Sequence, residues 1–320
     1  MSEKIKLAIL DANAVNPGDL SWDAFKEFAD ITIYERTSQD ELLDRIRTSD
    51  AIFVNKVVIT EEILQQLPLL KYIGVCATGY NVIDTKACSK RGIVVTNVPA
   101  YSTDAVAQHV FALITNFSNH VALHSQSVHN GDWIKAPDFV YWKQPLMELS
   151  GKTLGIFGYG NIGKKVAEIG RAFGMKVICC TRTPKPGMPE SVSFEDLLKQ
   201  SDFVSLHAPL TDKTKNIINK NSLSLMKPTA FLINTARGGL INEQELAEAL
   251  KDNVIAGYAA DVISIEPMTE NNPLLKCPNS ILTPHIAWAP KETRSRLMGV
   301  CLENLKAWIN GNPQNQVQNL

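Results

Sequence analysis

The stretch Gly158-Tyr159-Gly160-Asn161-Ile162-Gly163 follows the apolar run 154–157 and opens the amphipathic run 162–173. This order predicts a β-strand, a tight turn and an α-helix. Gly158 permits the turn, Gly160 lets the backbone approach a pyrophosphate, and Gly163 lets the helix pack closely on the strand. The free N–H groups of the helix N-terminus attract anions. The stretch therefore predicts a dinucleotide-binding site, although a purely structural glycine turn also fits the motif taken alone.

The bulk composition is that of an ordinary globular protein without electrostatic bias. A chain of 320 residues that is 45% hydrophobic and 20% charged can bury a sizeable core, and its length predicts about two domains. Its 32 Lys and Arg residues nearly balance its 33 Asp and Glu residues, so no global field favours nucleic acid or an anionic membrane. Small-molecule chemistry is the expected function class.

The N-terminal residues predict a cytoplasmic location. The apolar run that begins at Ile5 reaches Asp11 before it is long enough for a signal peptide. No later segment approaches the ~20 apolar residues of a transmembrane helix, so we expect no membrane partner.

The six cysteines and the histidines do not form a metal-binding pattern. There is no Cys-x-x-Cys pair and no His at ligand spacing from a Cys, so neither a zinc site nor a disulfide framework is expected. His120 and His124 share a helix face, but no carboxylate or cysteine accompanies them, and a surface or interface role is favoured over metal binding.

Apolar, β-rich runs alternate with helical patterns along the whole chain. Predicted strands in the first hundred residues are 5–10, 31–34, 51–55, 72–77 and 93–98. The alternation restarts at Thr153 and continues through 177–180, 203–206, 230–234, 255–260 and 281–283. Strict alternation implies right-handed crossovers and parallel sheets. We therefore predict an α/β protein with two doubly wound parallel-sheet domains, a Rossmann cofactor domain inserted in a flavodoxin-like substrate domain.

The helical patterns predict where the domains meet. The capping-box pattern Ser38-Gln39-Asp40-Glu41 predicts the start of one helix in the first unit. A long helical pattern over 103–128 suggests a dimerisation arm at about 103–150, and hence a homodimer. A last helical pattern, 292–309, follows the final strand and predicts a return of the chain to the first unit. The expected domains are 1–100 with 291–320, which binds substrate, and 101–290, which binds the dinucleotide. Ligands of such folds bind at the carboxyl ends of the strands.

The residues after the second strand of the cofactor domain predict the choice of dinucleotide. An NAD site usually has an acid there, about 20 residues past the glycine motif, that binds the adenosine ribose. This chain instead continues from Cys180 into Thr181-Arg182-Thr183-Pro184-Lys185. A 2′-phosphate would be bound by these hydroxyl and cationic groups, so NADP is preferred and NAD remains possible. A solvated basic loop is the alternative.

Polar residues follow three further strands of the cofactor domain. They are Arg237 in 234–239, Glu266 in 261–267 and His285 in 283–288. Each has an ordinary explanation when taken singly, as a surface charge or a loop residue. Because carboxyl ends of parallel strands meet at one edge of a sheet, three groups of complementary type there favour a catalytic site.

These motifs together resemble the D-isomer-specific 2-hydroxyacid dehydrogenase family along essentially the whole chain, and within it the glycerate dehydrogenase, or hydroxypyruvate and glyoxylate reductase, branch. The resemblance rests on the ordered segments 74–81, 97–103, 158–163, 234–243, 261–267 and 284–288. It implies reduction of a small 2-keto acid by hydride transfer from NAD(P)H.

The resemblance also implies roles for individual residues. His285 would protonate the substrate carbonyl oxygen, Glu266 would hold the imidazole and stabilise its charged form, and Arg237 would bind the substrate carboxylate. The implied substrate-binding residues, besides Arg237 and His285, are Asn55, Ala77, Thr78 and Gly79. The implied cofactor-binding residues are Thr103, Val106, Gly158, Tyr159, Gly160, Asn161, Ile162, Gly163, Thr181, Arg182, Thr183, His207, Ala208, Pro209, Thr235, Ala236, Asp261 and Ala287.

Two other functions stay open at this stage. One is a reductase for a bulkier 2-keto acid, which differs only in the size of the pocket. The other is a dinucleotide-sensing binding protein like the co-repressor relatives of the family. The complete set of Arg237, Glu266 and His285 argues against a pure sensor, because a sensor has no need of a proton donor.

Overall fold

The computed structural model describes residues 4–184 and 186–317 of the chain. Their contacts divide the chain into two compact units, Met1–Ser102 with Trp288–Leu320, and Thr103–Ala287. The assignment of substrate binding to one unit and of dinucleotide binding to the other stays a prediction. None of the helices in the described ranges is both long and apolar enough to cross a membrane.

All named strands pair in parallel. The first unit contains β1 (Ile5–Ile9), β2 (Ala29–Ile33), β3 (Ala51–Val54), β4 (Tyr72–Val75) and β5 (Val94–Thr96). The second contains β6 (Thr153–Phe157), β7 (Lys176–Cys180), β8 (Glu190–Ser191), β9 (Phe203–Leu206), β10 (Phe231–Asn234), β11 (Gly257–Ala260) and β12 (Ser280–Leu282). The short edge strand β8 has no counterpart among the predicted strands, because two residues are too few to show a pattern.

Helices lie between the strands. They are α1 (Ala12–Val15), α2 (Gln39–Ile46), α3 (Glu61–Gln65), α4 (Thr85–Lys90), α5 (Thr103–Asn119), α6 (Val121–His129), α7 (Asn161–Ala172), α8 (Phe194–Gln200), α9 (Lys220–Leu223), α10 (Glu243–Lys251) and α11 (Lys291–Ile309), with 3₁₀ turns at Asp23–Glu27 and Gly238–Leu240. The capping box predicted before α2 is confirmed, since the Ser38 side chain accepts from the Glu41 N–H and the Glu41 carboxylate accepts from the Ser38 N–H.

The first unit has the strand order β2-β1-β3-β4-β5, which is the flavodoxin-like order. Strands β3 and β4 are buried along their whole length, as their continuous apolar sequences require of strands covered on both faces. One covering helix is α11, whose Leu297, Cys301 and Leu305 belong to the same apolar cluster as Phe53 and Tyr72.

The second unit has the strand order β12-β11-β10-β9-β6-β7-β8. Counted from β6, this is the Rossmann order 3-2-1-4-5-6 with a seventh strand at one edge. The two parallel sheets confirm the predicted fold class. The order reverses between β6 and β9, and in such sheets ligands bind beside the carboxyl ends of the strands at that point.

The prediction of one long helix over 103–128 is wrong in one respect, because the structure has two helices there, α5 and α6. His120 adopts a left-handed backbone conformation, with φ of 48°, between α5 and α6. Histidine enters this region more readily than most residues. The apolar residues Phe117 and Val121 continue the helical spacing across the break, and no Gly or Pro marks it. The pattern therefore concealed it.

Candidate active site

The glycine turn lies at the point where the strand order of the second unit reverses. Gly158 follows β6 with φ of 95°, a conformation that side chains disfavour. A Cβ at Gly158 would stand 2.6 Å from the backbone nitrogen of Ala208, which follows β9. A Cβ at Gly163 would overlap the Gly158 carbonyl oxygen, so α7 packs directly on the turn. Both positions require glycine for steric reasons.

The middle glycine of the motif faces open space. Gly160 is exposed, and a Cβ added there would meet no atom within 4 Å. It is followed at once by α7, a helix of twelve residues that starts at Asn161. Exposed backbone at a helix N-terminus suits the pyrophosphate of a dinucleotide, as the motif predicts. Tyr159 and Ile162 are partly buried on either side.

The residues after β9 form the other wall of this turn. His207 Nε2 lies 2.8 Å from the Ser205 hydroxyl oxygen. Burial lowers the pKa of His207 to about 3, so its ring is neutral at physiological pH. Ala208 is buried and Pro209 is exposed. A neutral, partly apolar wall is compatible with the uncharged adenosine part of a dinucleotide.

The residues after β7 are accessible to a ligand. Thr181 is partly buried, whereas Arg182 and Thr183 are exposed. Lys185, the second cation of the predicted 2′-phosphate site, lies outside the described residues.

His285 and Glu266 form a hydrogen-bonded pair. The Nδ1 atom of His285 lies 2.6 Å from Oε2 of Glu266, and the two side chains are 28% and 31% exposed. Because Nδ1 is engaged by the carboxylate, Nε2 is the ring nitrogen left for a substrate. This is the arrangement of an imidazole acid or base oriented by a carboxylate.

A buried carboxylate fixes the loop that carries His285. Asp261, only 1% exposed, accepts hydrogen bonds from the Thr283 hydroxyl at 2.6 Å and from the Ile286 and Ala287 N–H groups at 2.8 Å each. His285 has φ of 56° in the middle of this loop. The three hydrogen bonds offset the cost of a left-handed residue. In the structure both carboxylate oxygens of Asp261 are thus engaged by the protein.

The Asn234 side chain holds the turn that carries Arg237. Asn234 is fully buried at the end of β10, donates to the Arg237 carbonyl at 3.0 Å and accepts from the Ala236 N–H at 3.0 Å. The Arg237 guanidinium is exposed and donates to the Ala236 carbonyl at 2.7 Å. The fork of the guanidinium is therefore available to an anion.

One buried hydroxyl in this turn lacks a partner. In the described part of the chain, Oγ1 of Thr235 is buried without a hydrogen bond. Buried polar groups are nearly always satisfied, by protein, water or ligand. An unpartnered hydroxyl on the turn next to Arg237 agrees with the expectation that Thr235 and Ala236 contact a cofactor.

The turn after β10 and the loops after β11 and β12, all in the second unit, contact one another in sequence. A Cβ at Gly238 would overlap the backbone of Ile263 and Ser264, so the turn after β10 packs directly on the loop after β11. That loop reaches the one after β12 through Glu266 and His285. The structure therefore brings together the three segments whose convergence the sequence predicted.

The start of α5 carries the two remaining cofactor-binding candidates of this unit. Thr103 begins α5 and Val106, one turn later, is buried. The Lys165 ammonium lies 3.9 Å from the Asp104 carboxylate, so the first turn of α5 lies beside α7. α7 is the helix that begins at the glycine motif.

The remaining substrate-binding candidates lie in the first unit. Asn55 is buried, and its amide donates to the Cys76 carbonyl at 2.6 Å. The Thr78 hydroxyl donates to the Val98 carbonyl at 2.8 Å. These bonds hold the turn formed by Ala77, Thr78 and Gly79 from both sides. Thr78 is exposed and Gly79 is partly buried, so this turn is accessible to a ligand.

Sequence reasoning did not assign roles to Asn234 and Glu243. Asn234 ends an otherwise apolar strand, and an amide in a buried position requires hydrogen-bond partners. That signal was available in the sequence. Glu243 looked like an ordinary acid in the first turn of a helix, and only its partners in the structure distinguish it. Within the described ranges no cluster of three or more His, Cys, Asp or Glu side chains suits a metal ion.

Comparisons with known proteins show which proteins this chain is similar to. The family model described as D-isomer specific 2-hydroxyacid dehydrogenase, NAD binding domain, matches residues 111–287. The chain is 40% identical to a hydroxypyruvate reductase of Blautia hydrogenotrophica over 98% of this chain and 99% of that protein.

Two solved structures are similar over nearly the whole chain. An acyclic imino acid reductase in complex with NADPH and D-Arg has 33% identity and a TM-score of 0.86, covering 98% of this chain and 100% of the other. An NADPH-dependent glyoxylate/hydroxypyruvate reductase of Sinorhizobium meliloti, in complex with NADP and malonate, has 28% identity and a TM-score of 0.82, covering 98% and 97%.

Proposed function

Because the chain belongs to the D-isomer-specific 2-hydroxyacid dehydrogenase family of oxidoreductases, we propose that it reduces hydroxypyruvate or glyoxylate to D-glycerate or glycolate with NADPH. Relatives named for these two substrates support the choice of substrate. The observation that carries the proposal is the 2.6 Å hydrogen bond between His285 and Glu266.

His285 acts as the proton donor. The nicotinamide of a dinucleotide held at the glycine turn would supply the hydride that the carbonyl carbon accepts. The carbonyl π bond breaks, and its oxygen takes a proton from Nε2 of His285, the nitrogen that Glu266 leaves free. In the oxidative direction the same nitrogen takes the proton back. Glu266 orients the ring and stabilises its cationic form, and acid–base catalysis of this kind contributes about 10²–10⁴-fold.

Arg237 binds the substrate carboxylate. Its guanidinium is exposed on a turn whose backbone Asn234 holds by two hydrogen bonds. Its Nη1 donates to the Ala236 carbonyl, and its other N–H groups are proposed to bind the carboxylate. Two parallel N–H donors match a carboxylate in a way that lysine cannot. The roles of Asn55, Ala77, Thr78 and Gly79 in substrate binding are proposed for the first unit by itself, where Asn55 supports their turn.

The cofactor is proposed to be NADP in preference to NAD. An exposed Arg182 and Thr183 follow β7 where NAD enzymes usually carry an acid. Similar proteins were solved with NADP and with NAD, so this preference rests on Arg182 and Thr183 alone. The open backbone at Gly160 and the unpartnered Thr235 hydroxyl fit a dinucleotide of either kind.

The working protein is proposed to be a homodimer. The segment 121–146 exposes a set of large apolar side chains: Val121, Leu123, Val128, Trp133, Ile134, Phe139, Val140, Trp142 and Leu146. So many neighbouring exposed apolar residues are unusual for a monomer and mark an interaction surface. Sedimentation of the wild type and of an Ile134→Glu/Phe139→Glu double variant tests this. A dimeric double variant would contradict the use of this surface.

The test of the proposed activity is a steady-state assay over a small substrate panel. Rates with NADPH and with NADH are measured for hydroxypyruvate, glyoxylate, pyruvate and a branched 2-keto acid. Hydroxypyruvate or glyoxylate with NADPH should give the highest kcat/KM. His285→Ala should lower kcat by at least about 10²-fold while NADPH still binds. Glu248→Gln, at an exposed position on α10, is the control and should leave the rate unchanged.

Other outcomes of this panel have defined meanings. A preference for the branched acid would establish the bulkier substrate class instead. Absence of NAD(P)H oxidation with every acid, together with dinucleotide binding, would support a sensor. Near-normal turnover by His285→Ala would refute the proton-donor role.

A further inference from the structure

The carboxylate of Glu243 binds a loop outside its own helix. Glu243 is the first residue of α10, and its Oε1 accepts a hydrogen bond from the Ser264 N–H at 2.6 Å. Its Oε2 accepts from the Ser264 hydroxyl at 2.8 Å and from the Asn272 side chain at 2.9 Å. Both partners belong to the connection between β11 and β12. The helix itself is capped by Asn242, whose side chain accepts from the Glu245 N–H.

Gly238 also contacts the connection between β11 and β12. Gly238 packs so closely on Ile263 and Ser264 that a Cβ would overlap their backbones. Gly238 directly follows Arg237, and Ser264 lies two residues before Glu266. The segment 237–243 is thus attached to the loop that carries Glu266 by packing near one end and by three hydrogen bonds at the other.

We propose that Glu243 is a positioning residue for the reaction, which locks the Glu266 loop to the Arg237 turn. The inference rests on the proposed function. Arg237 must hold the substrate while His285, oriented by Glu266, donates to it, and such groups must keep their geometry to within about 0.5 Å. A charged acceptor with three donors is well suited to this, because hydrogen bonds to an ionised group are about twice as strong as neutral ones.

A helix-stabilising role for Glu243 makes a different prediction. An acid in the first turn of a helix interacts favourably with the helix dipole, and this effect needs only the charge. Glu243→Asp keeps the charge but withdraws the carboxylate by about one C–C bond, ~1.5 Å. Glu243→Gln keeps the reach but presents an NH₂ group to the Asn272 and Ser264 donors. The two variants therefore separate charge from reach.

The decisive experiment compares kcat, KM and NADPH affinity for Glu243→Asp, Glu243→Gln and the control Glu248→Gln. Glu248 is exposed on the same helix, so its variant should match the wild type. We expect both Glu243 variants to lose about 10-fold or more in kcat, with NADPH affinity within about twofold of the wild type. Normal kcat in Glu243→Asp would overturn the proposal, as would a loss explained fully by a lower Tm.

A second measurement does not depend on the identity of the substrate. Hydrogen exchange of the Ser264 amide, the donor to Glu243 Oε1, is followed in the wild type and in Glu243→Asp. Faster exchange across 261–272 with unchanged exchange in α10 supports the lock, and unchanged exchange at Ser264 overturns it. If the wild type reduces no 2-keto acid, the proposed function fails while this measurement still tests the lock.

Discussion

Replacement of Gly238 by alanine tests the packing between the Arg237 turn and the Glu266 loop. The new methyl group would overlap the backbone of Ile263 and Ser264, and backbone cannot rotate out of the way as a side chain can. The two segments must separate by roughly 1.5 Å before their atoms reach ordinary contact distance. Overpacking of this kind costs about 1–3 kcal/mol of stability.

The displacement should affect catalysis more than folding. If the loop moves, the 2.6 Å hydrogen bond that Glu266 accepts from His285 is stretched or broken. A misplacement of about 1 Å can cost about 10²-fold in rate, and we expect a fall of that size in kcat for Gly238→Ala. The assay is kcat at saturating NADPH and hydroxypyruvate, with Tm and NADPH affinity measured alongside.

The neighbouring glycine provides the matched control. A Cβ at Gly239 would meet the end of the Leu210 side chain at 2.9 Å, and that flexible group can move. Gly239→Ala should therefore keep most of its activity. Equal activity of the two variants would refute the argument that backbone contact at Gly238 sets the geometry of the site.

Three further perturbations have expected outcomes. Arg182→Ala should raise KM for NADPH far more than KM for NADH in steady-state assays, and equal effects would contradict a 2′-phosphate contact. Asp261→Asn places an NH₂ group against the Ile286 or Ala287 N–H. The kcat at saturating cofactor should therefore fall about 10-fold or more. Wild-type turnover would contradict the role of Asp261 in holding the His285 loop. The third perturbation is a change of pH. Burial lowers the pKa of His207 from 6.5 to about 3. Below pH 6.5 the unfolded chain therefore binds a proton at this ring that the folded protein does not bind. The stability due to the neutral ring is complete above pH 6.5 and falls by about 2 kcal/mol at pH 5, so His207→Gln should show a flatter fall of Tm between these pH values than the wild type.

The sequence alone predicted the fold because the relevant signals are local. Apolar runs such as those of β3 and β4 and the glycine turn at 158–163 each specify their own structure within a few residues. Their alternation then limits the topology to parallel sheets with right-handed crossovers. The long helical pattern failed at His120 because a left-handed residue there interrupts the helix without any change in apolar spacing.

The candidate catalytic residues could also be named from the sequence, since each of Arg237, Glu266 and His285 follows a strand at the same edge of one sheet. The pairing of His285 with Glu266 is the contact that the family resemblance implied, and the structure contains it. Their positions follow from the order of the elements along the chain and from the parallel direction of the strands, and both can be predicted from the sequence.

What only the tertiary structure decided is how these groups are held. Glu243 binds Ser264 across 21 residues, and Asp261 binds Ile286 across 25, with no local pattern to indicate either contact. A carboxylate has the same appearance in a sequence whether it is solvated at a helix start or satisfied by three donors from another loop. The difference arises because folding brings distant N–H groups to one acceptor, and for the buried Asp261 these partners are indispensable.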